Sequence, residues 1–130
     1  MLDFKNKEKK LKILIAEDDY PSELYLTIIV KVFCKEIFKV RTGIEAVEIC
    51  RKNPDIDLIL MDIHMAEMDG YGATREIRQF NKSIVIIAQT AYASEKDKED
   101  ALIAGCNDYL TKPVSKEKLH EIIEKYFFRI

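Results

Sequence analysis

The sequence predicts an α/β fold: a doubly wound, open parallel sheet of five strands, built from five β-α units, with helices on both faces. Three stretches, Leu11 to Ala16, Leu58 to Met61 and Ile84 to Ala88, are nearly continuous apolar runs rich in Ile and Leu. They are too short for helices and have the composition of strands covered on both faces. The segments between them carry helix signals, so strand and helix alternate along the chain. Five such units without a large insertion are too few for an eight-fold barrel.

Each element has its own justification. After the first strand, Leu11 to Ala16, Pro21 suits the first turn of a helix, ahead of Glu23 and the apolar Leu24, Ile28 and Val32. Ile37 to Arg41 is a weaker second strand, and the helix beginning after Gly43 is stopped by Asn53-Pro54. Leu58 to Met61 is the third strand, and Asp69-Gly70 makes the turn into the next helix. Ile84 to Ala88 is the fourth. Ser94 with Asp97 three residues later has the pattern of a capping box, and Gly105 fits the left-handed position past that helix. Asn107 to Leu110 is a weaker fifth strand. Beyond Ser115, the residues Leu119, Ile122, Ile123, Tyr126 and Phe127 share one helix face.

Composition bounds the rest. A chain of 130 residues with 48% hydrophobic and 34% charged residues is one domain, with a charged lead-in over 1–11 and the domain itself over 12–130. A chain this long buries roughly two thirds of the surface its unfolded form exposes, so neither disulfides nor a structural metal is required. The formal net charge of −2 gives no electrostatic reason to expect nucleic acid or an anionic membrane as a direct partner. No apolar run has the length of a membrane helix or signal peptide, which predicts a cytoplasmic protein. Cys34, Cys50 and Cys106 lack metal or redox spacing and read as reduced thiols acting as small hydrophobes.

In an open parallel sheet, ligands bind at the carboxyl ends of the strands. The residues there are Glu17, Asp18 and Asp19 after the first strand, Asp62 after the third, Thr90 after the fourth and Lys112 after the fifth. Carboxylates gathered at one place repel one another, and a divalent cation relieves that. Mg²⁺ fits, because it takes one or two protein carboxylates and completes its octahedron with water and phosphate oxygens. A lysine and a hydroxyl on the other side would suit a phosphoryl group bonded to a carboxylate.

The segments ILIAEDD, LILMDIHMAEMDGY, IIAQTAYA and GCNDYLTKPV resemble the four signature segments of the receiver domain of two-component response regulators, in order and spacing, from about Lys12 to Phe127. The wording MDIHMAEMDGYGATREIR is most similar to receivers of hybrid histidine kinases. The resemblance implies a flavodoxin-like fold and makes Asp62 the phosphoacceptor, attacking a phosphohistidine on a histidine kinase or histidine phosphotransfer protein. It makes Asp18 and Asp62 direct Mg²⁺ ligands and Glu17 the acid acting through metal-bound water. The backbone carbonyl of His64 completes the protein's share of that shell. Thr90 and Lys112 match the residues holding the phosphoryl oxygens, and Tyr109 matches the aromatic that turns inward on activation, changing the surface of the fourth helix, fifth strand and fifth helix. Lys112-Pro113 matches a bond that is cis in the family.

Several residues have plainer readings. Asp19 is expected to cap the following helix, His64 to line the mouth of the site and His120 to sit on a helix surface. Ala66 stands where the family usually has proline. Ile122 replaces an arginine that serves a dimer salt bridge in many members, leaving Asp108 without its usual partner, so a monomer or a weak phosphorylation-dependent dimer is expected. Two other functions fit the same residues: a metal-dependent phosphohydrolase using Asp62 as covalent nucleophile, and a phosphorylation-independent binding module. The first lacks a second acid two residues past Asp62, where His64 stands, and lacks a cap domain to enclose a substrate.

Overall fold

Residues 10–92 and 94–128 are described by the computed structural model. The chain runs β1 (Leu11–Ala16), α1 (Tyr20–Val30), β2 (Cys34–Val40), α2 (Gly43–Lys52), β3 (Leu58–Asp62), α3 (Gly70–Arg78), β4 (Val85–Thr90), α4 (Glu95–Ala104), β5 (Asp108–Thr111) and α5 (Lys116–Ile123). All five strands are parallel, in the order β2-β1-β3-β4-β5. The winding therefore reverses between β1 and β3, where such sheets leave a crevice at the carboxyl edge.

Every residue of β3 is buried, because the central strand is covered on both faces. Leu14, Ile59, Met61 and Ile86 pack with Ala46, Val47, Ala73 and Ile77 of α2 and α3. On the other face Ile13, Ile15, Leu58, Leu60 and Ile87 pack with Leu26 and Ile29 of α1 and Leu119 and Ile123 of α5. Alternate residues of one strand thus feed two cores, which fixes its register against both neighbours.

The helix starts are chemically defined. Asp19 caps α1, its carboxylate accepting from Ser22 N at 3.0 Å, and Pro21 lies in the first turn as expected. Ser94 accepts from Asp97 N at 3.1 Å. Gly105 closes α4 at φ 115°, the left-handed value anticipated for it. A reciprocal capping box that the sequence reading did not single out joins Thr42 and Glu45 at the start of α2.

Some expectations are corrected. The first strand is Leu11–Ala16 as expected, so Leu11, which the bounds of the lead-in also took in, belongs to β1 and is fully buried; lead-in residues 1–9 lie outside the described residues. The second strand starts at Cys34, three residues before the expected Ile37, while β3, β4 and β5 reach Asp62, Thr90 and Thr111. Leu24, Ile28 and Val32 are 45%, 66% and 42% exposed; α1 turns Leu26, Ile29 and Val30 inward instead. This segment is apolar nearly all round, so periodicity does not select a face.

His120 is not a free surface residue. Its Nε2–H donates to Ile29 O at 2.9 Å, and its ring stands edge-on to Phe33 with centroids 4.8 Å apart. At the end of α5 the chain widens into a π-helical turn, Glu124–Phe128, which buries Phe128 and leaves Tyr126 and Phe127 only partly covered. Cys50 and Cys106 are buried, Cys34 half-buried, and all three are free thiols. No helix among the described residues is long and apolar enough to cross a membrane.

Candidate functional site

Strand register assembles the acids. Ala16 of β1 pairs with Met61 of β3, so the next residue on each strand, Glu17 and Asp62, emerges at the same edge. Glu17 is held by its N–H to Val40 O at 3.0 Å. Both side chains are almost fully buried, Glu17 at 1% and Asp62 at 3%, while Asp18 is exposed. Glu17, Asp18 and Asp62 each offer a carboxylate oxygen within 4.8 Å of the others, a set that could hold a metal ion.

Lys112 arrives from β5, anchored by its N–H to Thr90 O at 2.8 Å. Its ammonium lies 2.9 Å from Glu17 Oε1 and 3.2 Å from Asp62 Oδ2. The Asp19 N–H donates to Glu17 Oε2 and the His64 N–H to Asp62 Oδ1, each at 3.2 Å. Two buried carboxylates therefore share one ammonium, with the exposed Asp18 carboxylate beside them.

The titration behaviour follows from this arrangement. Burial pushes the Glu17 carboxyl above the usual carboxylate range, and the neighbouring Asp62 adds to it against the opposing pull of Lys112. Burial alone would lower Lys112, but the hydrogen bond it donates to Glu17 and the charge of Asp62 outweigh it and raise the lysine. Hard carboxylate oxygens, in excess of the local positive charge, fit a small hard divalent cation.

The loop after Asp62 is bent back sharply. Gly70 N donates to Ile63 O at 2.9 Å, and a Cβ on Gly70 would come within 2.4 Å of Asp62 O, so only glycine lets the chain close on the strand end. Glu67 and Met68, the two residues after Ala66, both adopt positive φ, 54° and 100°.

Thr90 is the last residue of β4, buried, with its hydroxyl turned to the next loop: it donates to Tyr92 O at 3.2 Å and accepts from Tyr92 N at 3.1 Å. Tyr109 stands apart from the acids, half-buried against the core under α2 and α3, with the Lys98 ammonium 5.3 Å from its ring centroid. Lys112-Pro113 is cis. Glu17, Asp18, Asp62 and Lys112 thus come together, Thr90 stands close by along the same edge, and Tyr109 lies behind. The sequence reading missed Tyr92, whose ring meets that of His64 edge-on, centroids 5.8 Å apart, at the mouth of the cleft. Its position two residues past Thr90 was the available signal.

Residues 13–124 match the family described as the response regulator receiver domain. The chain belongs to that family. Among curated relatives, this receiver is 40% identical over 140 residues to hybrid signal transduction histidine kinase B of Dictyostelium discoideum, an alignment covering 92% of this chain and 7% of the other. The chain spans only 7% to 26% of the length of the first curated relatives it matches. Among solved structures, it resembles the receiver domain of the Saccharomyces cerevisiae response regulator Ssk1, co-crystallised with the histidine phosphotransfer signalling protein Ypd1 (TM-score 0.84, 32% identity, 91% of this chain and 89% of that one). It also resembles the receiver domain of the Pseudomonas aeruginosa sensor histidine kinase PA1611, which has magnesium coordinated in its active-site cleft (TM-score 0.80, 35% identity, 90% and 97%). The five-stranded, flavodoxin-like architecture is that of the receiver family.

Proposed function

We propose that this receiver domain is a phosphoryl-accepting switch in which Asp62 takes the phosphoryl group from a phosphohistidine of a histidine kinase or histidine phosphotransfer protein. The observation that carries the reading is a buried carboxylate at a strand end, 3.2 Å from a lysine ammonium and grouped with two further acids. An Asp62 oxygen forms the new P–O bond as the P–N bond to the donor imidazole breaks, and the imidazole leaves with the bonding pair and takes up a proton.

Glu17, Asp18, Asp62 and the backbone carbonyl of His64 are the groups assigned to hold Mg²⁺, which supplies positive charge against the phosphoryl oxygens. The ammonium of Lys112 and the hydroxyl of Thr90 bind the remaining oxygens. To do so, Thr90 gives up its bond to Tyr92 O, and Tyr109 moves toward the space vacated, altering the face formed by α4, β5 and α5. The apolar exposed residues Tyr20, Leu24 and Ile28 lie on α1, which begins one residue after Asp19 at the mouth, and they support a protein as donor. The domain assists its own phosphorylation and dephosphorylation without turning over a substrate, and works in the cytoplasm without direct contact with nucleic acid or membrane, as a monomer or a weak phosphorylation-dependent dimer.

The test is intact-mass spectrometry after incubation with a phosphoramidate. The expected result is one acid-labile phosphoryl group added in the presence of Mg²⁺, none after chelation, and none in Asp62→Asn. Undiminished labelling of Asp62→Asn would overturn the assignment.

A further inference from the structure

The loop carrying Lys112 borders an open pocket on one side. Pro113 and Val114 cover a cavity of about 320 Å³ whose other walls include Pro21, Tyr25, Leu26 and Gln89. The loop is fastened by the Lys112 N–H to Thr90 O, by the buried side chain of Val114, and by one bond from a distant helix: the Tyr25 hydroxyl of α1 donates to Val114 O at 2.8 Å.

Tyr25 is 46% exposed, so its ring contributes only part of the burial an aromatic can give. What the tyrosine adds is a directed bond to a carbonyl two residues past Lys112. A lysine ammonium must be placed to within a fraction of an ångström to stabilise charge on a reacting phosphoryl group, and a loop over a cavity does not ensure that by packing.

We infer that Tyr25 is a positioning residue: through Val114 it sets the reach of the Lys112 ammonium toward the phosphoryl group at Asp62. The inference rests on the reading of Asp62 as acceptor and Lys112 as its cation. A built-in comparison exists. His120 makes a second tie between α5 and α1, its Nε2–H to Ile29 O at 2.9 Å, one helical turn further along α1 and away from Lys112.

The experiment compares the parent chain with Tyr25→Phe, which loses only the hydroxyl, and His120→Leu, which loses the other tie. Each is phosphorylated by phosphoramidate with Mg²⁺ over a range of donor concentrations. Each is also examined by ¹⁹F NMR as its beryllofluoride adduct, in which fluorines stand in for phosphoryl oxygens. Tyr25→Phe is expected to fold, to lower the limiting rate about fivefold, the worth of one hydrogen bond, with a smaller change in half-saturating donor concentration. It should also shift the fluorine resonance facing Lys112. His120→Leu is expected to lower the melting temperature while leaving limiting rate and ¹⁹F spectrum at parent values. Equal slowing in both variants would overturn the positioning role, since the effect would then be general loosening. A parent that takes no phosphoryl group at Asp62 overturns both readings; a parent that labels normally beside an unchanged Tyr25→Phe overturns only this one.

Discussion

The two edges of one sheet are built on opposite principles. At the amino-terminal edge Asn107 makes four bonds: Oδ1 accepts from Ile86 N at 2.8 Å and from Arg78 Nη2 at 2.9 Å, the backbone N–H reaches Ile86 O at 2.8 Å, and the carbonyl accepts from the Tyr126 hydroxyl at 3.0 Å. Lys12 on the same edge is met by Asp55 and Glu36 in the open. At the carboxyl edge, Glu17, Asp18 and Asp62 gather their carboxylates, and the two buried ones, Glu17 and Asp62, share one lysine. Where polar groups are matched, the edge holds the fold together; where one sign is in excess, the edge retains attraction for a cation and a group that brings new charge.

The contrast can be broken from either side. Asn107→Ala should cost about 2–4 kcal/mol in urea unfolding, because it strips partners from a ladder N–H and a half-buried guanidinium. A loss too small to resolve would mean that this edge is not the stabilising one. Asp62→Asn should act in the opposite sense, raising stability by about 1 kcal/mol in Mg²⁺-free buffer, since it relieves repulsion with Glu17 and leaves Lys112 a partner. That gain should shrink as pH falls through the raised range of Glu17, where the carboxyl becomes neutral and the repulsion disappears. Unfolding curves at two pH values decide it; a destabilised Asp62→Asn would place the excess charge elsewhere.

The smallest stability change is expected for Thr90→Ala, under about 1 kcal/mol, because among the described residues its hydroxyl bonds the backbone of Tyr92 alone. Its effect should appear instead in signalling: beryllofluoride still binds at Asp62, but amide shifts over Ala101 to Leu119 no longer follow. If those shifts match the parent's, the threonine is not the coupling residue.

How much of this was legible in the sequence depends on what kind of interaction leaves a linear trace. The buried strands β1 and β3 were plain, because double-sided burial writes an unbroken apolar run. The acids were plain because they end such runs. The edge strand β2 was foreshortened, since Lys35, Glu36 and Lys39 dilute its pattern. The orientation of α1 was hidden by apolar residues on every side. Tyr25 went unmarked, His120 was read as a helix-surface residue and Asn107 only as the start of a strand, for a further reason: each works through side-chain bonds to backbone atoms far away in sequence, and such bonds have no period and no motif.

All-parallel pairing also sorts the connections into two classes with different freedom. The segments leaving strand ends, such as 63–69 and 112–115, frame the acidic cleft and are held by Gly70 and Tyr25. The segments entering strands lie across the molecule, and the exposed turn at Pro54–Asp55 is one of them. A peptide tag or an inserted reporter domain placed there would extend the chain from the face remote from Asp62, so the fold offers an attachment point whose length can vary while the chemistry stays fixed.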